Sequence, residues 1–183
     1  GWFTLPLTVP NYLAGFVGKP VLPLDAPEVS AAIERVQKRT DALLNCGGTH
    51  RPEWFHRKLG DILYEGCGVA RDEAGLLDAL TKVRELREEF WRDVKVVGTG
   101  NRLNQELEKA GRVADFIELG EVMILDALDR RESAGAHFRN EYATEAGEAK
   151  RNDGDWCAVS AWETRPDGTK VRHSEPLSFS LID

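Results

Sequence analysis

Cysteine is scarce in this chain, and its spacing is wrong for a scaffold. Cys46, Cys67 and Cys157 are an odd number with no C-x-x-C pair. That pattern argues against a disulfide framework and points to reduced thiols. Long apolar runs are missing as well: nothing approaches the roughly 18 consecutive apolar residues of a membrane span. Basic charge is in deficit, with 24 Lys and Arg against 31 Asp and Glu and a formal net charge of -7. Such a chain offers no electrostatic footprint for a phosphate backbone, so nucleic acid is not an expected partner. Methionine is rarest of all. Met123 stands alone, so Gly1 is not expected to be a translation start, and the chain reads as a processed product or an excerpt. No basic stretch precedes the apolar opening, which therefore does not read as a signal peptide.

What is present fits one domain, or one domain with an appendage: 183 residues, 42% hydrophobic and 30% charged. The opening "GWFTLPLTVPNYLAGFVGKPVLPL" carries Trp2, Phe3, Leu5, Leu7, Tyr12, Leu13, Phe16 and Val17, cut by Pro6, Pro10, Pro20 and Pro23. Left bare, these side chains would form an apolar patch of the kind that marks a partner surface. The alternative is that the segment folds back onto the domain's own core.

From Asp25 the period becomes helical. Asp25 can cap, Pro27 suits the first turn, and Val29, Ala32, Ile33, Val36, Leu43 and Leu44 line one face until Gly47 and Gly48. A second helix is expected from Arg51 to Glu65 with Phe55, Leu59, Ile62 and Leu63 inward. A third opens after Asp72 and carries Leu76, Leu80, Val83, Leu86, Phe90 and Val94; its charged face "TKVRELREEFWRD" reads as solvated. After the joint "VVGTGN", a fourth helix is expected from Asn104 to Ser133, on the order of 45 Å long at 1.5 Å per residue. It has two apolar stripes: Leu107, Ala110, Val113, Ala114, Ile117, Ile124 and Leu128, and then Phe116, Leu119, Val122 and Met123. A helix apolar on two sides needs neighbours on both. Beyond a polar loop the period drops to two, and "WCAVSAWET" and "KVRHSEPLSFSLI" flank "RPDG", the pattern of a terminal hairpin.

Four constellations bear on chemistry. Glu132, Ser133 and His137 have the residue types of a hydrolytic triad, but no strand-to-helix elbow precedes Ser133. Cys46, His50, His56 and Cys67 follow no zinc-ligand spacing. "GTGN" is too short for a dinucleotide fingerprint and follows a charged helix, so it is a linker. The fourth is Arg130, Arg131, Glu132, His137 and Arg139 around Ala134-Gly135-Ala136. Basic residues favour the negative end of a helix dipole, so the set could be a plain helix stop. A stop needs only a glycine, however. Paired arginines with a glutamate and a histidine offer forks for charge-assisted bonds to another surface.

The stretch "ELGEVMILDALDRRESAGAHFRNEY" resembles the C-terminal region of the succinate dehydrogenase and fumarate reductase flavoprotein subunits. Their R-x-E-S-x-G-x-H-x-R signature is matched by Arg130, Glu132, Ser133, Gly135, His137 and Arg139. "YEGCGVARDEAGL", "LREEFWRDVKVVG", "ELEKAGRVADFIELGEV" and "DWCAVSAWE" resemble the branch found in actinobacteria and Bacteroidetes, and the opening resembles the stretch after the family's substrate-binding Arg loop. The likeness covers essentially the whole chain. Ala134 departs from the Arg of many members, and "ATEAGEAKRND" replaces the usual Pro-Asp-Arg-Asp. L-aspartate oxidase shares a similar signature, but the "LREEFWRDVKVVG" and "VSAWE" matches disfavour it.

The resemblance implies a mainly α fold: a bundle of three shorter helices and one long helix with a small C-terminal β-hairpin. Residues 1–24 would be an apolar connecting segment, 25–134 the helical domain and 135–183 the C-terminal extension. The family's FAD, its Rossmann-like glycine turn and its succinate-gripping His and Arg residues have no counterpart here. No catalytic, flavin-binding or metal residue is therefore assigned, and the isolated chain is expected to be inactive. Arg130, Arg131, Glu132, Ser133, Gly135, His137 and Arg139 are expected to dock the piece onto its own N-terminal flavin domain. The intact subunit would hold FAD and oxidise succinate to fumarate. It would meet an iron–sulfur subunit and, indirectly, a membrane anchor, lying on the cytoplasmic, inner face of the bacterial membrane. Fumarate reduction is the nearest rival, and a freestanding helical protein-binding adaptor is the rival of another class.

Overall fold

The computed structural model describes residues 1–2 and 4–179. The chain divides into two units, Gly1–Arg39 and Thr40–Asp183. In the first, α1 (Thr4–Ala14) occupies the opening that the sequence reading leaves as an unassigned connecting segment. Its prolines do not prevent this: Pro6 falls in the first turn, where amide donors are unpaired anyway, and Pro10 lies inside the helix. Leu5, Leu7, Tyr12, Leu13 and Phe16 are all exposed, while Phe3 lies outside the described residues. The Tyr12 and Phe16 rings meet at 5.1 Å, and the Lys19 ammonium sits 4.9 Å over Phe16. α2 (Pro27–Asn45) follows. Of its expected inward face, Ile33 and Val36 are exposed and Leu43 is buried.

The second unit is built on α3 (Pro52–Gly66), α4 (Glu73–Asp93) and α5 (Gln105–Asp129). Each start has a local cause. Pro52 stands in the first turn of α3 after an extended Arg51. Asp72 accepts the Gly75 N–H at 2.8 Å, and Asn104 accepts those of Glu106 and Leu107 at 3.1 Å. Leu76, Ala79, Leu80, Val83, Leu86 and Phe90 make the buried stripe of α4. Ala110, Val113, Ala114, Ile117, Ile124 and Ala127 make that of α5, as the 3.6 period requires. Phe55 closes the core edge-on against Phe90 at 5.2 Å. The second stripe of α5 stays open: Phe116, Leu119 and Met123 are 40%, 55% and 46% exposed beside Leu59 and Leu63 of α3.

The charged face of α4 is not simply solvated. Buried Glu121 of α5 takes Arg84 at 2.8 Å and also Arg87, which reaches Glu118 at 3.3 Å. Glu118 in turn accepts Lys170. The expected hairpin is β3 (Ala158–Thr164) against β4 (Lys170–Pro176), antiparallel; the expected strand's residues 180–182 lie outside the described residues. An isolated two-stranded hairpin is marginal in water. Here Trp162 Nε1 donates to Asp126 at 2.8 Å, Lys170 pairs with Glu118 and Arg172 with Asp129, tying it to α5. Two short strands absent from the sequence reading, β1 (Ala70–Arg71) and β2 (Phe138–Arg139), pair in parallel. α6 (Asp153–Trp156) is a single turn before β3.

Candidate functional site

The long helix ends at Asp129 rather than at Ser133. The cause is a side chain from ten residues further on. Arg139, 2% exposed, donates through Nη1 to the carbonyls of Ala127 at 2.7 Å and Leu128 at 3.3 Å. A guanidinium on those free acceptors caps the helix and meets the negative end of its dipole. Its Nε reaches Glu141 at 3.1 Å, and Glu141 also accepts the Glu73 N–H that opens α4. One arginine thus joins the end of α5 to the start of α4.

The rest of the signature closes the turn from inside. Ser133 Oγ is fully buried; it accepts the Arg139 N–H at 2.9 Å and donates to the Arg139 carbonyl at 3.1 Å. Glu132 takes Arg130 through Nε and Nη2 at 2.8 and 2.6 Å and the Asn152 N–H at 2.8 Å. Its burial pushes the carboxyl pKa up, but the Asn152 amide and Arg130 outweigh that and hold it below the ordinary value. Ala134 and His137 exchange backbone bonds of 2.9 and 3.1 Å around Gly135, whose φ is +59°. With positive φ at the first central position only, this is the Gly-first pattern of a type II′ two-residue turn.

His137 faces the other way. Its Nδ1 lies 3.1 Å from Arg71 Nη1, and its Nε2 lies 3.0 Å from the Arg130 carbonyl. Guanidinium only donates and carbonyl only accepts, so the ring is neutral with its proton on Nε2. Burial first, then the charges of Arg71, Arg130 and Arg139, lowers its pKa despite the bond to the Arg130 carbonyl.

All seven signature-region residues therefore stand within one turn, and the side-chain bonds of Arg130, Glu132, Ser133, His137 and Arg139 are made inside the chain. Arg131 and Gly135 are exposed, as is Ala136 beside them, while Glu132, Ser133 and Arg139 are buried. The triad types do not assemble, since Ser133 bonds to Arg139 and His137 to Arg71 and Arg130. The zinc-like set is scattered: Cys46 reaches the Trp91 carbonyl, His50 pairs with Asp93 at 2.5 Å, and His56 tilts against Phe116. Among the described residues no group of three or more His, Cys, Asp or Glu side chains could hold a metal. Sequence reasoning missed Arg71, Glu141 and the Asn152 amide. Only the short β1–β2 pairing, which no periodicity announces, brings Arg71 to the turn.

Among the described residues, neither the Gly98 turn nor the groove between α3 and α4 suits a flavin. The Gly98 turn is filled from its own side: the Asn104 amide lies 2.9 Å from where a Cβ would stand and donates to the Val97 and Thr99 carbonyls. The groove of about 400 Å³ between α3 and α4 sets Asp61, Glu65, Asp78, Glu85 and Glu89 against only Lys58 and Lys82, a net negative lining of the wrong sign for a pyrophosphate.

Fold and site together define a helical structural module with an appended hairpin and an internally satisfied turn. More particularly, the chain belongs to the family described as fumarate reductase flavoprotein C-terminal, which matches residues 56–182. It is 28% identical over 114 residues to the fumarate reductase flavoprotein subunit of Haemophilus influenzae, covering 62% of this chain and 19% of that one. To the succinate dehydrogenase flavoprotein subunit of Bacillus subtilis it is 26% identical over 130 residues, 71% of this chain and 21% of that one. An E. coli quinol fumarate reductase structure shares the fold, with a TM-score of 0.76 at 24% identity over 93% of this chain and 28% of that one. The chain thus spans about a fifth of the length of these curated relatives. Among the described residues no helix is long and apolar enough to cross a membrane.

Proposed function

We propose that this chain is the helical C-terminal part of a succinate dehydrogenase flavoprotein subunit. Residues 1–24 lead in from a flavin domain, 25–134 form the helical domain and 135–183 the extension. The whole subunit oxidises succinate to fumarate with FAD and passes electrons to an iron–sulfur subunit and, through it, to an anchor in the membrane. It lies on the cytoplasmic face. The flavin supplies the redox chemistry when bound, held by residues outside this chain. This chain's own residues shape and brace a docking surface.

The observation that carries the reading is the bare second stripe of α5, Phe116, Leu119 and Met123, in a member of a family whose curated relatives are several times longer. An apolar face of that kind is what a neighbouring domain covers. In this reading Arg131, Gly135 and Ala136 meet the neighbour, while Glu132, Ser133, His137 and Arg139, with Arg130, fix the turn that presents them. Fumarate reduction is the second reading, supported by the fumarate reductase name of the family and of the Haemophilus relative.

An immunoblot of source-cell membrane and soluble fractions, with antibody raised against this chain, tests the proposal. The expected result is a membrane-bound band several times heavier than 20.4 kDa that co-purifies with succinate-reducible flavin. A soluble band near 20.4 kDa would overturn it in favour of a freestanding module.

A further inference from the structure

The His137 ring is held by two bonds of opposite polarity, and only one protonation state can make both. Nδ1 must accept from Arg71 of β1, and Nε2–H must donate to the Arg130 carbonyl at the end of α5. A second proton can go only on Nδ1, the atom 3.1 Å from Arg71 Nη1. That exchanges a hydrogen bond for two donors, and two cations, face to face.

The charged groups around the ring make this sharper. Arg71 on β1, Arg130 after α5 and Arg139 on β2 all repel a second proton. The nearest carboxylates of the network are engaged: Glu132 with Arg130 and the Asn152 amide, Glu141 with Arg139 and the Glu73 amide. The tip of the turn is otherwise held by the Ala134–His137 backbone pair and the two-residue β1–β2 ladder. Its base is anchored separately, by Arg139 on α5, by Ser133 on Arg139 and the Lys150 carbonyl, and by Glu132 on the Asn152 amide.

We propose that His137 is an acid-sensitive clasp: neutral, it fastens the tip of the 130–139 turn to β1, and its protonation frees that tip while the helix bundle stays folded. The element released is the exposed Gly135-Ala136 corner, with Arg139 acting as the fixed end of the hinge. The clasp is a property of this chain and does not depend on the subunit reading above.

Histidine-detected ¹⁵N NMR and amide hydrogen exchange on the 183-residue chain between pH 7.5 and 5 test it. At pH 7.5 His137 should show the Nε2–H form, and it should titrate below its ordinary 6.5. As it titrates, the Ala134 and His137 amides should exchange about tenfold faster relative to their intrinsic rates, while Leu86 and Ile117 stay protected. His137→Gln, neutral throughout, should abolish the pH dependence; if that variant does not fold, the wild-type titration decides alone. An Nδ1–H form at pH 7.5 would overturn the proposal. So would protonation that leaves both amides unchanged, or loss of protection in turn and bundle together.

Discussion

Replacing Arg139 by Met keeps a long buried side chain and removes the fork that ends α5. The loss can be worked from its bonds to the Ala127 carbonyl and Glu141 and from the helix dipole. The Ala127 carbonyl, buried and bonded at 2.7 Å, is left unpaired, which costs about 1–2 kcal/mol. The Glu141 pair is half in solvent, with that carboxylate 37% exposed, so its loss is limited to about 0.5–1 kcal/mol. Losing a cation at a helix C-terminus adds about 0.5 kcal/mol. Met offsets part of the total because no charge need be buried. The net expectation is about 1.5–3 kcal/mol of destabilisation. In urea, followed by far-ultraviolet circular dichroism, the midpoint should fall by about 1 M at an unchanged slope of about 2 kcal/mol per M. Arg139→Lys should recover less than half, because an ammonium cannot reach both the α5 carbonyls and Glu141 as a planar fork does. A midpoint unchanged by Arg139→Met would refute the capping account.

Trp162→Phe keeps the aromatic packing but removes the 2.8 Å bond to Asp126, and should cost about 1 kcal/mol. Amide exchange along β3 and β4 should rise well before that of α5. Acid should unfold the chain through its braced carboxylates. Burial raises the Glu121 and Glu132 pKa values, but Arg84 and Arg87 on one, the Asn152 amide and Arg130 on the other, hold both below 4.5. Their contribution is fully present above 4.5 and disappears as pH falls through the depressed values, because the unfolded chain binds the extra protons. Asp93, drawn down to about 2 by His50 and Thr49, loses its share between 3.8 and 2. As these carboxylates are protonated, stability from equilibrium unfolding should fall from about pH 4.5 down to pH 3, and Glu121→Gln with Glu132→Gln should flatten the slope below pH 4.5. An unchanged slope in that double variant would sink the argument.

The helices were legible because burial is periodic. The stripes of α3, α4 and α5 appear in the chain at the spacing they have in the core. The hairpin was legible because alternation and "RPDG" act locally. The end of α5 was misplaced because its cap comes from Arg139, and sequence spacing carries no sign of which distant side chain will take a helix's last carbonyls. The parallel β1–β2 pair was invisible for a similar reason: strands of two residues have no period to detect. α1 was missed because its prolines read as breaks, although first-turn prolines are tolerated. In the signature, residue identities singled out the turn but not its bonding. They could not tell that Arg130 and Arg139 pair within the chain, since a fork built for a carboxylate looks the same whether the carboxylate is Glu141 or another surface.

Gly135 offers the cleanest separation of conformation from contact in this turn. A Cβ built there meets nothing within 4 Å, so steric crowding plays no part. What remains is backbone: φ is +59°, where an L side chain sits against its own carbonyl, at a cost of roughly 1–2 kcal/mol. Gly135→Ala should therefore destabilise by about that amount, measured by the same urea titration, without altering the bonds of Ser133 or Glu132. Gly147, also at positive φ with nothing within 4 Å of a built Cβ, is the matched control outside the signature. If the turn's closure adds strain to the bare φ cost, Gly135→Ala should exceed Gly147→Ala, because an opened Ala134–His137 pair also loosens His137 from Arg71. Equal costs would reduce Gly135 to a corner residue, and the spacing from Ser133 to His137 would then owe nothing to the turn it encloses.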